Sequence, residues 1–166
     1  MEKTINLGVI GIDHGHIFDM LDEMLKEGCT CNYFWTDGEP LTLKEFNSKY
    51  PKIKRKENKK EILNDPSIDM ILISSVPKDR AYNSIEALKA GKDVMVDKPG
   101  CTTLDQLKQL KQTVKETGKI WSVNFSERFH VAAVAKAEEL VNEGKIGNVK
   151  QTIGTGPHLS LIHISE

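Results

Sequence analysis

Short apolar runs alternate with stretches of helical periodicity along nearly all of this 166-residue chain, and few folds accommodate that alternation. Residues 6–10 (Asn-Leu-Gly-Val-Ile), 31–35 (Cys-Asn-Tyr-Phe-Trp), 69–75 (Asp-Met-Ile-Leu-Ile-Ser-Ser), 94–96 (Val-Met-Val) and 120–123 (Ile-Trp-Ser-Val) read as strands. Between them, Ile17, Leu21 and Leu25 recur at helical spacing, as do Leu43 and Phe46 within 41–50, and Ile85 and Leu88 within 80–90. Leu104, Leu107, Leu110 and Val114 mark the inward face of another helix, which stops at Gly118 and opens with Thr102 and Asp105 set as a capping box. A last helix covers 131–142, and 150–154 begins one more strand. Strands alternating with helices of this length predict βαβ units around a parallel sheet.

Crossovers in such a sheet are right-handed, which gathers the turns leading into the helices at one edge. Residues 11–16, 36–39, 74–78 and 97–100 should therefore share a rim. Ligands of open α/β sheets bind there, outside the carboxyl ends of the strands. Asp97-Lys98-Pro99 follows the Val94–Val96 run, so the Lys98 ammonium is expected to face whatever occupies the crevice. The basic run 52–60 lacks interleaved aromatics and reads as a solvated loop with a short edge strand, where lysines discourage unwanted pairing.

Composition removes several function classes. A net charge of −1 gives no reason to expect nucleic acid or an anionic membrane as partner. No apolar run approaches the roughly 20 residues that span a bilayer, and the N-terminus lacks a signal-peptide pattern. Three cysteines are too few and odd for a disulfide framework, so a reduced, cytoplasmic setting is expected. Cys29 and Cys31 read as buried thiols, Cys101 as a passive small residue, and Trp35 and Trp121 as core. Asp13, His14 and His16, with Cys29 or Cys31, lack a second histidine–carboxylate pair at a recognised spacing, so no metal site is expected.

Five segments occur in a telling order: Gly-Val-Ile-Gly at 8–11, Ser-Ser-Val-Pro at 74–77, Val-Met-Val-Asp-Lys-Pro at 94–99, Ser-Val-Asn-Phe-Ser-Glu-Arg-Phe at 122–129 and Glu-Leu-Val-Asn-Glu-Gly-Lys-Ile-Gly at 139–147. In order and spacing they resemble the Gfo/Idh/MocA family of NAD(P)-dependent oxidoreductases, from about residue 6 to residue 158. The resemblance implies a Rossmann-type doubly wound parallel sheet with helices on both faces over 1–123. Over 124–158 it implies a connecting segment, helix and first strand of a truncated C-terminal α/β domain. It also implies hydride transfer between a nicotinamide and a hydroxyl-bearing carbon of a small sugar- or cyclitol-like substrate. Lys98 would then lie near both, its ammonium orienting the substrate oxygen.

The same resemblance assigns cofactor contacts to Gly11, Ile12, Asp13, His14, Gly15 and His16 at the first turn, and to Asp37 at the ribose. It adds Ser75, Val76 and Pro77, then Asp97, Lys98 and Pro99, and finally Arg128, for which a structural salt bridge is the competing role. The absence of a basic residue at the turn after the second strand favours NAD, with NADP possible. Relatives commonly associate through the downstream sheet, which implies a homo-oligomer for a full-length parent.

Three departures stand out. Of the G-x-G-x-x-G fingerprint only Gly11 is in place, with Asp13 and His16 at the other two positions. Asp13 brings negative charge towards a phosphate, whereas His14 and His16 can donate to one, and a branch of the family carries such a His-Gly-His turn. The expected ribose carboxylate aligns best with Thr36, one position before Asp37, and a usual Pro-Asn is Pro77-Lys78. An alternative reading follows: a non-catalytic dinucleotide-binding or regulatory protein of the same fold, which the altered fingerprint favours and Lys98 disfavours. Residues 159–166 look like the translation of a transposase adapter used in sequencing libraries, a non-native tail, with a natural short C-terminal strand as the alternative that composition does not separate from it. On the adapter reading the family's downstream acid–base residues are missing, the fragment is inactive, and 151–154 is left as an unpaired edge.

Overall fold

Successive side chains of a strand point to opposite faces, and a strand apolar at nearly every position must be covered on both sides. β1 (Asn6–Ile12) is such a strand: every residue from Leu7 onward is buried. The computed structural model describes residues 4–125 and 131–153, in two units that divide after Phe125.

In the first unit six parallel strands lie in the order β3-β2-β1-β4-β5-β6. They are β1, β2 (Thr30–Trp35), β3 (Lys54–Arg55), β4 (Met70–Ser74), β5 (Asp93–Asp97) and β6 (Trp121–Asn124). This is the doubly wound arrangement of a Rossmann sheet, whose strand order reverses between β1 and β4. Helices α1 (His16–Lys26) and α2 (Leu43–Lys49) cover one face. There Val9, Ile12, Phe34 and Leu72 of the sheet meet Ile17, Leu21 and Phe46. Helices α3 (Lys59–Leu63), α4 (Pro77–Lys89) and α5 (Leu104–Thr117) cover the other. Their Ile62, Ala81, Leu88 and Leu110 pack on Ile10, Ile71, Ile73, Val94 and Val96. Lysine and arginine form the two-residue edge strand β3, as the basic run suggested.

Several boundaries differ from the sequence reading. β1 runs on through Gly11 and Ile12, so the first turn is only Asp13–Gly15. α4 begins at Pro77, not near residue 80, because proline suits the first helical position, where its missing N–H costs nothing. The short α3 replaces the loop expected near residue 60, secured by a capping box between Asn58 and Glu61. On α5 the capping box is Thr103 with Gln106, one residue later than expected. Gln106, Leu110 and Thr113 face inward, while Leu104 is 84% and Leu107 36% exposed. Of the two tryptophans, both are only partly buried, packed against the second cluster.

The second unit contains α6 (Ala132–Asn142), largely exposed and ended at Gly144, where φ is 71°. Residues 150–153 are not a strand; a strand needs a hydrogen-bonded neighbour, and they pair with none of the described strands. Gly154 and the tail 159–166 lie outside the described residues.

One close approach positions everything at the rim. The β1–β4 register shifts between Ile10 and Ile12, where Gly11 bulges at φ 75°. A Cβ on Gly11 would sit 2.4 Å from Ser75 Cβ and 2.6 Å from its Cα. Gly11→Ala therefore meets both steric overlap and left-handed strain, and should cost roughly 3 kcal/mol in urea denaturation. A loss below about 0.5 kcal/mol would show that the two strands separate freely.

Candidate functional site

Because α1 leaves β1 towards one face and α4 leaves β4 towards the other, the ends of these strands open a crevice. A cleft of about 580 Å3 lies there. Gly11 and Asp13 line it from the β1 turn, Asp37 and Gly38 from the β2 turn, and Ser75, Val76 and Lys78 from the β4 end. Its walls are Trp35, Lys59, Asp79, Tyr82, Asn83 and Glu86. Lys59 Nζ donates to Asn83 Oδ1 at 2.9 Å, and Asn83 Nδ2 donates to Ser75 Oγ at 3.1 Å, so α3 and α4 brace the wall together.

The β2 turn is not without a basic residue, as the sequence had suggested. Arg55 arrives from β3: its Nη1 meets Glu39 Oε1 at 2.7 Å, and its Nη2 donates to the carbonyls of Thr36 (3.2 Å) and Gly38 (2.6 Å). Sequence proximity alone missed it, because the parallel β2–β3 pairing places Phe34 opposite Arg55. Arg55 is committed to holding the turn, which leaves the neighbouring Asp37 exposed on the cleft.

Beside the cleft, His16 Nδ1 lies 2.8 Å from Asp97 Oδ1. A carboxylate only accepts, so His16 donates to it from Nδ1–H. The His14 Nδ1 lies 3.3 Å from the His16 backbone N–H, which it accepts when neutral, and 3.5 Å from Asp97 Oδ2. Burial, then the neighbouring His16, lowers the His14 pKa below its ordinary 6.5, with Asp97 opposing. Arg80 completes the group. Its Nε donates to the Ser75 carbonyl at 2.7 Å, its Nη1 to the Lys98 carbonyl, and its Nη2 lies 2.8 Å from Asp97 Oδ2. That last contact is an ion pair, not an aligned hydrogen bond.

His14, His16 and Asp97 each offer a ligand atom within 4.8 Å of the others, a trio hidden in the sequence because Asp97 is remote from the histidines. The Arg80 cation on Asp97 and the positive end of α1 both oppose a metal ion there. The cysteines that might have joined it are elsewhere: Cys29 and Cys31 pack against the first core cluster, and burial pushes the Cys31 thiol up to about 12.

A dinucleotide's pyrophosphate would meet an unusual turn. The N–H groups of Ile17 and Phe18 bond to the carbonyls of His14 and Gly15 at 3.2 and 3.1 Å, and that of His16 to an imidazole. Few α1 amides are thus left to cradle an anion, and the half-exposed His14 imidazole stands beside them. The ligand fits this chain's residues, with imidazole standing in for backbone amides.

Of the residues singled out from sequence, Gly11, Asp13, Asp37, Ser75 and Val76 meet at the cleft. His14, Gly15 and His16 adjoin it. Ile12 points into the core, Pro77 starts α4, and Asp97 is fully buried beneath the rim, while Lys98 is half-buried and Pro99 exposed. Arg128 lies outside the described residues. Sequence reading missed Arg80, Arg55, Lys59 and Tyr82. A signal for Arg80 was present, since a cation near a helix N-terminus opposes the dipole and needs a local partner.

Comparison with known proteins agrees with this geometry. Residues 36–125 match the Gfo/Idh/MocA family model, described as an oxidoreductase family with an NAD-binding Rossmann fold. The chain belongs to that family. It is 35% identical over 156 residues to the uncharacterized oxidoreductase YdgJ of Escherichia coli (strain K12), covering 90% of this chain and 42% of that one. It is 36% identical over 91 residues to scyllo-inositol 2-dehydrogenase (NAD(+)) of Bacillus subtilis (strain 168), covering 55% and 26%. A crystal structure from Erwinia carotovora atroseptica SCRI1043, of a protein assigned to the oxidoreductases, superposes with a TM-score of 0.82 at 34% identity, covering 87% and 43%. The chain thus spans less than half the length of these relatives. No helix among the described residues is long and apolar enough to cross a membrane.

Burial raises the Asp13 pKa above its ordinary 3.8, assisted by the charges of Asp37 and Asp79. The folded state then holds this proton more tightly than the unfolded chain does. Ionising Asp13 therefore costs stability, and the cost is absent in acid and appears as pH rises through the folded pKa. Asp13→Asn should stabilise the chain by up to about 1 kcal/mol near pH 7 and leave it unchanged near pH 3. Thermal melts at both pH values check this; equal melting points near neutrality would refute it.

Proposed function

We propose that this chain is the cofactor-binding half of an NAD-dependent dehydrogenase acting on a hydroxyl-bearing carbon of a sugar- or cyclitol-like small molecule. One observation carries the reading: the Asp97-Lys98 element adjoins the first turn through the His16–Asp97 contact, beside a cleft at the switch point of a dinucleotide-binding sheet. Relatives named as scyllo-inositol, myo-inositol and D-xylose dehydrogenases support the substrate class. On this reading residues 1–123 form the cofactor domain and 124–158 lead into a substrate domain.

Asp37 accepts hydrogen bonds from the adenosine ribose hydroxyls and, with Glu39 holding Arg55 aside, disfavours a 2′-phosphate. This supports NAD over NADP. His14 donates through Nε2 to the pyrophosphate, next to Gly11 and Asp13. The bound nicotinamide supplies the hydride acceptor or donor. Lys98 keeps its ammonium towards the substrate oxygen, where a fixed cation orients that oxygen and favours negative charge developing on it.

Titration of the purified chain with NADH and NADPH, followed by nicotinamide fluorescence, tests the proposal. Saturable binding is expected, tighter for NADH than for NADPH. Asp13→Gly should tighten it about 3- to 10-fold by removing a carboxylate from the phosphate turn, and His14→Ala should weaken it to a similar degree. No saturation at about 1 mM cofactor, by a chain with a cooperative melt, would overturn the cofactor assignment.

A further inference from the structure

We infer that Arg80 is a positioning residue for Lys98: by gripping the Asp97 carboxylate and the Lys98 carbonyl together, it sets where the ammonium stands at the rim. The inference rests on the reading above, in which Lys98 faces the nicotinamide end of the cofactor. β5 ends at Asp97, so Lys98 lies beyond the sheet ladder and its carbonyl has no strand partner. The guanidinium supplies one. The same fork reaches the Ser75 carbonyl at 2.7 Å, tying the end of β4 to the end of β5, and its third arm lies 2.8 Å from Asp97 Oδ2. Asp97 in turn holds His16 at 2.8 Å, which links the lysine to the first turn.

Stability alone does not account for this arrangement. Arg80 is 2% exposed and Asp97 0%, and a buried ion pair gains little over an apolar pair of similar volume. The arginine also sits in the early part of α4, where the helix dipole disfavours a cation. What a planar fork supplies, and a leucine or lysine does not, is two directed hydrogen bonds, to the Ser75 and Lys98 carbonyls, and an ion pair to Asp97, all fixed relative to one another. Geometry at Lys98 is the property that gains from them.

A cation beside the nicotinamide favours the neutral reduced ring over the cationic oxidised one, so the ratio of NADH to NAD+ affinity reports where the Lys98 charge stands. General damage to the fold weakens both ligands and leaves the ratio alone. Arg80→Lys keeps the charge but not the fork, and should lower the ratio about tenfold, as should Lys98→Ala. In the Lys98→Ala background, Arg80→Lys should have no further effect on the ratio. Asp97→Glu, which leaves Arg80 in place and keeps the carboxylate charge but moves it by one methylene, serves as the second variant should Arg80→Lys not fold, and it should lower the ratio as well. A ratio unmoved by Arg80→Lys and Asp97→Glu, while Lys98→Ala lowers it, overturns the inference and leaves the cofactor reading intact. A ratio unmoved by Lys98→Ala overturns the inference at its premise. Absence of binding by the wild-type chain overturns the cofactor reading first.

Discussion

β1 and β4 come together at Gly11 more tightly than any side chain allows, and the architecture of the rim follows from that contact. With no Cβ in the way, the two strand ends stay side by side while their helices depart to opposite faces. A wider separation would loosen the His14 N–H bond to the Ser74 carbonyl, 3.2 Å long, and with it the turn that carries both histidines. The bulge also lets β1 pair with Ser74 after its register has shifted, so one unpaired residue serves both the sheet and the site.

The fold was largely legible because period-2 and period-3.6 patterns report burial, and burial dominates in a sheet covered on both faces. Residues 69–75 and 94–96 read correctly since a central parallel strand leaves almost no position for a polar side chain. On α5 Leu110 and Val114 face the core as read, but Leu104 and Leu107 were misplaced, because leucines at helical spacing outweighed a capping box that a glutamine completes as well as an acid does. Leu104 is therefore exposed and Gln106 buried, their roles set by the start of the helix and not by hydropathy.

The site was legible only where topology alone determines it. Turns at the ends of β1, β2 and β4 had to share an edge, so Gly11, Asp13, Asp37 and Ser75 came together as expected. Contacts between residues remote in sequence left no trace in spacing. Arg55 at the β2 turn, Arg80 beneath Asp97, and Lys59 against Asn83 depend on which strands and helices become neighbours. The cleft consequently holds more cationic reach than its turns suggested. Lys59 and Lys78 line it together with Asp13, Asp37, Asp79 and Glu86, and Lys59 pairs with Glu86, a mixed wall in place of a glycine-rich one.

The sheet divides the apolar interior into two clusters, with Val9, Ile12 and Leu72 serving one, and Ile10, Ile71 and Ile73 the other. Packing on one face is insulated from packing on the other by a layer of hydrogen-bonded backbone. Substitutions distributed between the two compartments should behave as independent events, their free energies adding, whereas pairs within a compartment should interact. At the carboxyl ends of β1 and β4, where Gly11 approaches Ser75, an adjustment on one side has a short route to the other. The chain can therefore vary its two halves separately while the seam between them stays the same.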